Sequence, residues 1–121
     1  RWRPKMGDRA HVVVVSDDSK VFLYSHWQGS RLPAIVRRAL GRKLRWNDEA
    51  YLARILFCEM LKAEGAPADE SLRAETGFGI ASRACEDESR DVVVDVANQT
   101  VVLPGKKPVA FDKFITTTVG V

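Results

Sequence analysis

Ala10-His11-Val12-Val13-Val14-Val15, then Ser16-Asp17-Asp18-Ser19, then Lys20-Val21-Phe22-Leu23-Tyr24-Ser25 is the stretch that decides the fold. Two runs rich in β-branched and aromatic residues flank a polar turn cluster, which predicts a β-hairpin over residues 10–25. Four consecutive valines show no polar alternation, so the first strand is expected in the middle of a sheet with both faces covered.

Outward from the hairpin the hydrophobic period changes. Leu32, Ile35, Val36, Ala39 and Leu40 share one helical face, with Pro33 in the first turn and Gly41 as the stop. Asn47 or Asp48 caps a second helix running to about Glu64, with Glu49 in its first turn. Tyr51, Leu52, Ile55, Leu56, Phe57, Cys58, Met60 and Leu61 make this helix apolar nearly all round, so it is expected to be buried on more than one side. Residues 66–75 read as a polar loop. Strands are predicted over 76–83, 91–96 and 100–103, and a last strand or short helix over 109–115. The order ββααβββ lacks βαβ alternation. It points to an α+β fold in which an antiparallel sheet of four to five strands is covered by two helices.

The 121 residues suffice for one core. Residues 1–5 read as an upstream extension or tag remnant, 6–115 as a single domain and 116–121 as a flexible tail. With 45% hydrophobic and 29% charged residues the composition is that of a globular domain, not a disordered chain. No apolar run is long enough to span a membrane and no signal-peptide pattern is visible, so a cytoplasmic location is expected. Cys58 and Cys85 lack metal or redox spacing and are expected as reduced thiols. The net charge of +3 conceals an asymmetry: residues 1–63 carry 13 Lys/Arg against 6 Asp/Glu, residues 64–95 carry 3 against 9. Such a chain is complementary to itself, as in a homodimer, or to a charged partner.

The candidate polar site lies at the end of the second strand. Leu23-Tyr24-Ser25-His26-Trp27-Gln28-Gly29 places an imidazole and an indole just before a helix N-terminus. On the functional reading Trp27 is a stacking platform, His26 a donor or base and Arg31 an anion clamp. The blander reading is a buried tryptophan with its histidine satisfied by backbone. His11, inside the first strand, is weaker still as a candidate. Arg54 falls beside Ala50, Cys58 and Leu61 on the helical wheel, away from the stripe of Asp48, Glu59 and Lys62. An arginine there must pair with a carboxylate, with Asp8, Glu75 and Asp95 as choices, or reach a pocket; Arg54, with Asp8-Arg9 in the same network, therefore joins His26, Trp27 and Arg31 as a candidate ligand-binding residue. Arg31, Arg38, Arg42 and Arg45, flanked by Arg37 and Lys43, form a basic stripe if the first helix continues past Gly41. The stripe suits nucleic acid or an acidic protein surface, or else is a solvated face opposite the acidic residues 64–95. Cys58, on a helix expected to be buried, reads as packing rather than as a nucleophile. No P-loop, dinucleotide fingerprint, Gly-x-Ser-x-Gly elbow or zinc-ligand spacing is present, and no metal, cofactor or catalytic residue is assigned.

Met6-Gly7-Asp8-Arg9-Ala10, the Leu23–Gly29 stretch, Arg45-Trp46-Asn47-Asp48, Tyr51-Leu52-Ala53-Arg54-Ile55-Leu56-Phe57 and Thr76-Gly77-Phe78-Gly79-Ile80 together resemble a family of small proteins from actinobacteria and their phages. The likeness covers about residues 6–115. It implies a phage-related setting in a bacterial host cell and no activity. The expected function is a non-enzymatic binding protein, a phage accessory factor that engages a host protein or sequesters a small anionic ligand. Two alternatives stand beside it: a small hydrolase-like enzyme using His26 with Asp8, Asp48 or Asp95, and a nucleic-acid binder using the stripe of residues 31–45.

Overall fold

A computed structural model describes residues 8–63 and 77–117. The hairpin forms as expected: β1 (Ala10–Ser16) pairs antiparallel with β2 (Ser19–Ser25), and Asp17 takes the turn at φ 47°. A short 3-10 turn over Gly29–Arg31 leads into α1 (Leu32–Gly41), followed by α2 (Glu49–Ala63). Then come β3 (Phe78–Ala81), β4 (Val92–Asp95), β5 (Thr100–Val102), β6 (Val109–Ala110) and a single turn of helix, α3 (Phe111–Phe114). The segment expected as strand or helix is therefore both.

The α+β class holds, with six strands where four to five were expected. They run in the order β3-β2-β1-β4-β5-β6. All neighbours are antiparallel except β1 and β4, which are parallel. The parallel pair follows from β3. Antiparallel to β2, β3 points the same way as β1 and β4, so the chain from β3 to β4 must cross back over the sheet. β1 is thus central, and Val12, Val13 and Val14 are buried from both faces as the valine run predicts.

One face carries the main core. Ala10, Val12 and Val14 of β1, Leu23 of β2, Val92 and Val94 of β4 and Val101 of β5 meet Leu32, Ile35, Val36, Ala39 and Leu40 of α1 and Leu52, Ile55, Leu56 and Met60 of α2. Phe111 and Phe114 of α3 close the β6 end. On the opposite face lie His11, Phe22 and Tyr24, roofed by the crossing segment through Cys85 and Asp91.

One expectation for α2 is corrected. It buries one side, through Leu52, Ile55, Leu56, Glu59 and Met60, while Tyr51, Arg54 and Cys58 are exposed and Phe57 and Leu61 half-buried. The apolar count misled because half of those residues cover the rim of the core, not a second layer. The helix meets β3 where Phe57 packs edge-to-face on Phe78 at 6.2 Å, and leaves Ile80, beside its partner Leu23 on the same face, 61% exposed. The expected loop 66–75, Glu64, Thr76, Glu75, residues 1–5 and Met6, and positions 118–121 of the tail lie outside the described residues. Among the described residues no helix is long and apolar enough to cross a membrane.

Candidate functional site

The expected recess around Trp27 divides into separate places. His26 is half-buried and Trp27 is 41% exposed, their rings edge-to-face at 4.5 Å. The His26 amide donates to the Gly77 carbonyl at 2.8 Å, and His26 Nδ1 meets the Tyr24 hydroxyl at 3.2 Å. Burial pushes the Tyr24 phenol up, with Arg9 acting in the opposite sense, so the hydroxyl stays protonated as a donor. Gly77 fits the indole closely: at φ 63°, a Cβ there would sit 2.3 Å from the Trp27 ring. Gly77→Ala is therefore expected to cost about 1–2 kcal/mol through the left-handed backbone. It should also swing Trp27 outward, read as a red shift in tryptophan fluorescence.

Asp8 serves the backbone instead of a ligand. Its carboxylate accepts from the Ser30 amide at 2.8 Å, the Ser30 hydroxyl at 3.1 Å and Arg90 at 2.8 Å, and its carbonyl accepts from the Gly29 amide at 2.9 Å. A Cβ on Gly29 would lie 2.8 Å from that carbonyl, so only glycine allows the approach. Burial pushes the Asp8 carboxyl up, but the Arg90 and Ser30 hydrogen bonds outweigh it and leave it below the ordinary 3.8. A lowered folded-state value means that Asp8 stabilises the fold above about pH 4 and loses that contribution as pH falls through the folded value. Asp8→Asn is expected to flatten the acid limb of a stability–pH curve below pH 4 and leave its neutral-to-alkaline shape unchanged. Arg9 pairs with Glu86 at 2.8 Å.

The carboxylates named for a His26-based enzyme are engaged elsewhere. Asp8 holds Ser30 and Arg90, Asp48 accepts from the Tyr51 amide, and Asp95 accepts from Asn98. The structure pairs the other histidine. His11 is fully buried; its Nδ1 lies 2.8 Å from Asp91 Oδ1, and the same oxygen accepts the His11 amide at 2.9 Å. The Cys85 amide donates to Nε2 at 2.9 Å, so the ring proton sits on Nδ1. An isolated histidine in a valine run gives no hint of a carboxylate 80 residues away.

The basic stripe is interrupted. α1 ends at Gly41, and Lys43 and Arg45 take the left-handed region at φ 57° and 59°, an unusual conformation for residues with a side chain. Arg37 and Arg38 line one cleft with Arg42, while Arg42 also lines a second cleft on α2 together with Arg45. Among the described residues their acids come from α2 and its cap: Arg42 binds Glu59, and Arg45 reaches Asp48 at 3.6 Å. Arg31 is exposed on the 3-10 turn.

This turn gathers three of the sequence candidates. Arg42, Arg45 and Arg54 line an open cleft of about 380 Å³ with Lys62, Tyr51, Leu44 and Glu59, and neither Trp27 nor Arg31 enters it. Glu59, expected on a polar stripe, is 2% exposed at this cleft. Its Oε2 takes Arg42 and also Lys62 at 3.8 Å, while Oε1 is buried without a partner. Arg45 stacks on Tyr51, 4.3 Å from the ring centroid. Arg54, expected to pair with a carboxylate or to reach a pocket, lines this cleft, is exposed and makes no ion pair among the described residues. Four cations thus face one buried carboxylate, with Asp48 at the rim. Cys58, exposed and not packed as expected, sits where this cleft meets a second one of about 250 Å³, lined by Val21, Leu23, Ala53, Phe57 and Ile80. Both cysteines are free thiols. Among the described residues no three His, Cys, Asp or Glu side chains gather as a metal site.

Comparison with protein-family models, curated proteins and solved structures yields no match to this chain.

Proposed function

We propose that the protein is a non-enzymatic binding protein that holds a small anionic ligand in the cleft between the α1–α2 turn and α2. The observation that carries this reading is the convergence of Arg42, Arg45, Arg54 and Lys62 on one hollow of about 380 Å³, with a single buried carboxylate to offset them. That volume lies in the range of small-molecule sites, and guanidinium forks suit carboxylate or phosphate oxygens. Two left-handed residues in the turn, Lys43 and Arg45, are held by Trp46, whose indole donates to the Leu40 carbonyl at 3.0 Å and packs on Phe111. The cations are therefore mounted on a braced turn. Glu59 restrains Arg42 and Lys62, so Arg54 supplies the charge with least internal compensation. The resemblance to actinobacterial and phage proteins gives the setting: an accessory factor in the host cytoplasm that sequesters its ligand.

The experiment is a thermal-unfolding series with inorganic phosphate, pyrophosphate and nucleotides. A ligand at a hundred times its Kd stabilises by about 2.7 kcal/mol, a shift of several degrees for a domain of this size. Arg54→Glu is expected to weaken binding at least about tenfold, whereas His26→Ala leaves it unchanged. Absence of a shift with every anion would remove the reading.

A nucleic-acid interface is disfavoured by the break after Gly41, which sends Arg38 and Arg45 to different clefts. Salt-sensitive DNA retention abolished by Arg38→Glu with Arg42→Glu would reinstate it.

A further inference from the structure

We infer that the ligand is an amphipathic phosphate monoester: a phosphate head in the cationic cleft and an apolar tail in the groove beside it. The inference rests on the anion-cleft reading and adds the chemistry of the ligand. Arg54 and Cys58 line both hollows, so the two are joined across one turn of α2. The second hollow is almost wholly apolar, walled by Val21 and Leu23 of β2, Ala50, Ala53 and Phe57 of α2, and Ile80 of β3. α2 packs on β3 at Phe78, through the Phe57 ring at 6.2 Å, but leaves Ile80 61% exposed on the face the helices otherwise cover. A cationic hollow that opens into an apolar one matches a molecule of the same polarity, and the concave groove suits a single chain better than a bilayer surface.

The head is assigned from Glu59. Its Oε1 is buried at the cleft with no hydrogen-bond partner, and among anions a deprotonated carboxylate ligand offers it no donor. A phosphate monoester brings anionic oxygens for Arg45 and Arg54 together with a P–OH hydrogen for Glu59.

Octyl phosphate below its micelle concentration, inorganic phosphate and octanol are the probes, used on the full chain carrying Cys85→Ser so that Cys58 is the reporting thiol. The Cys85 side chain is exposed and its backbone amide makes the bond to His11, so the substitution spares the fold. Octyl phosphate is expected to bind at least about tenfold more tightly than inorganic phosphate, since two buried methylenes suffice for that factor. It should also slow alkylation of Cys58 several-fold, and octanol alone should not. Ile80→Asn is expected to erase the tail's advantage, so that octyl phosphate binds no more tightly than inorganic phosphate; Arg54→Glu is expected to weaken both. Equal affinity for octyl and inorganic phosphate, or Cys58 labelling unchanged by octyl phosphate, would overturn the tail while sparing the anion cleft. Failure of both phosphates to bind would overturn the two readings together. Binding confined to anionic vesicles would assign the face to a membrane and overturn the soluble ligand.

Discussion

Asp91→Ala is expected to lower the unfolding free energy by about 2–4 kcal/mol, measured by urea denaturation at neutral pH. Oδ1 of Asp91 accepts two buried donors, the His11 amide at 2.9 Å and His11 Nδ1–H at 2.8 Å. Both donors belong to a fully buried residue in the central strand, so the loss of their shared acceptor leaves two buried N–H groups without their partner. The damage extends beyond β1. His11 Nε2 accepts the Cys85 amide, and Asp91 itself leads into β4, so one carboxylate pins the crossing segment to the strand beneath it. Asp91→Asn separates the two contributions. Its amide oxygen can keep both bonds, while its nitrogen falls where Oδ2 already has no partner. A loss well below that of the alanine variant is expected, and equal losses would contradict the role given to Oδ1.

Phe111→Ala is expected to cost about 3–5 kcal/mol, the range for removing a buried aromatic ring. Phe111 is buried and meets Trp46 edge-to-face at 5.3 Å. Trp46 sits next to Arg45 and anchors its turn through the bond to the Leu40 carbonyl. Truncation therefore leaves a cavity beneath the turn that carries the cations. At a temperature where the variant is still folded, anion affinity is expected to fall with stability, although Phe111 lies outside the cleft lining. A stability loss with unchanged affinity would show that the turn keeps its shape without this support.

Most of the fold is legible in the sequence because its signals are local. The valine run, the Ser-Asp-Asp-Ser turn, Pro33 in the first turn of α1 and Asp48 at the start of α2 each act within a few residues, and each lands where its pattern places it. The parallel β1–β4 pair is not local: nothing in Val92-Val93-Val94 says which neighbour it takes. The strand at Val109–Ala110 is legible only as a strand or a short helix, because two residues carry no period and its pairing with β5 decides it.

The candidate site was legible in its residue types and not in its assembly. Arg42, Arg45 and Arg54 stand out in the sequence, but in two separate groups, and it is the left-handed turn at Lys43 and Arg45 that brings them together. No sequence rule signals such a conformation in residues other than glycine or asparagine. Gly41, the expected stop, is the last helical residue, and the reversal comes two positions later. Glu59 was misplaced for a related reason. A glutamate on a helix ordinarily marks a solvated face, and only its pairing with Arg42 from the preceding turn makes burial tolerable. His26 and Trp27 read as one pocket with Arg54, but Trp27 packs on Gly77 and neither residue lines the cleft that holds Arg54.

Chemical-shift mapping of the labelled protein titrated with inorganic phosphate tests the account most directly. Perturbations are expected to centre on the backbone amides of Arg42, Arg45, Tyr51, Arg54 and Cys58, and to vanish in Arg54→Glu. Saturable perturbations centred on His26, Trp27 and Arg31, with the α2 amides unmoved, would contradict it.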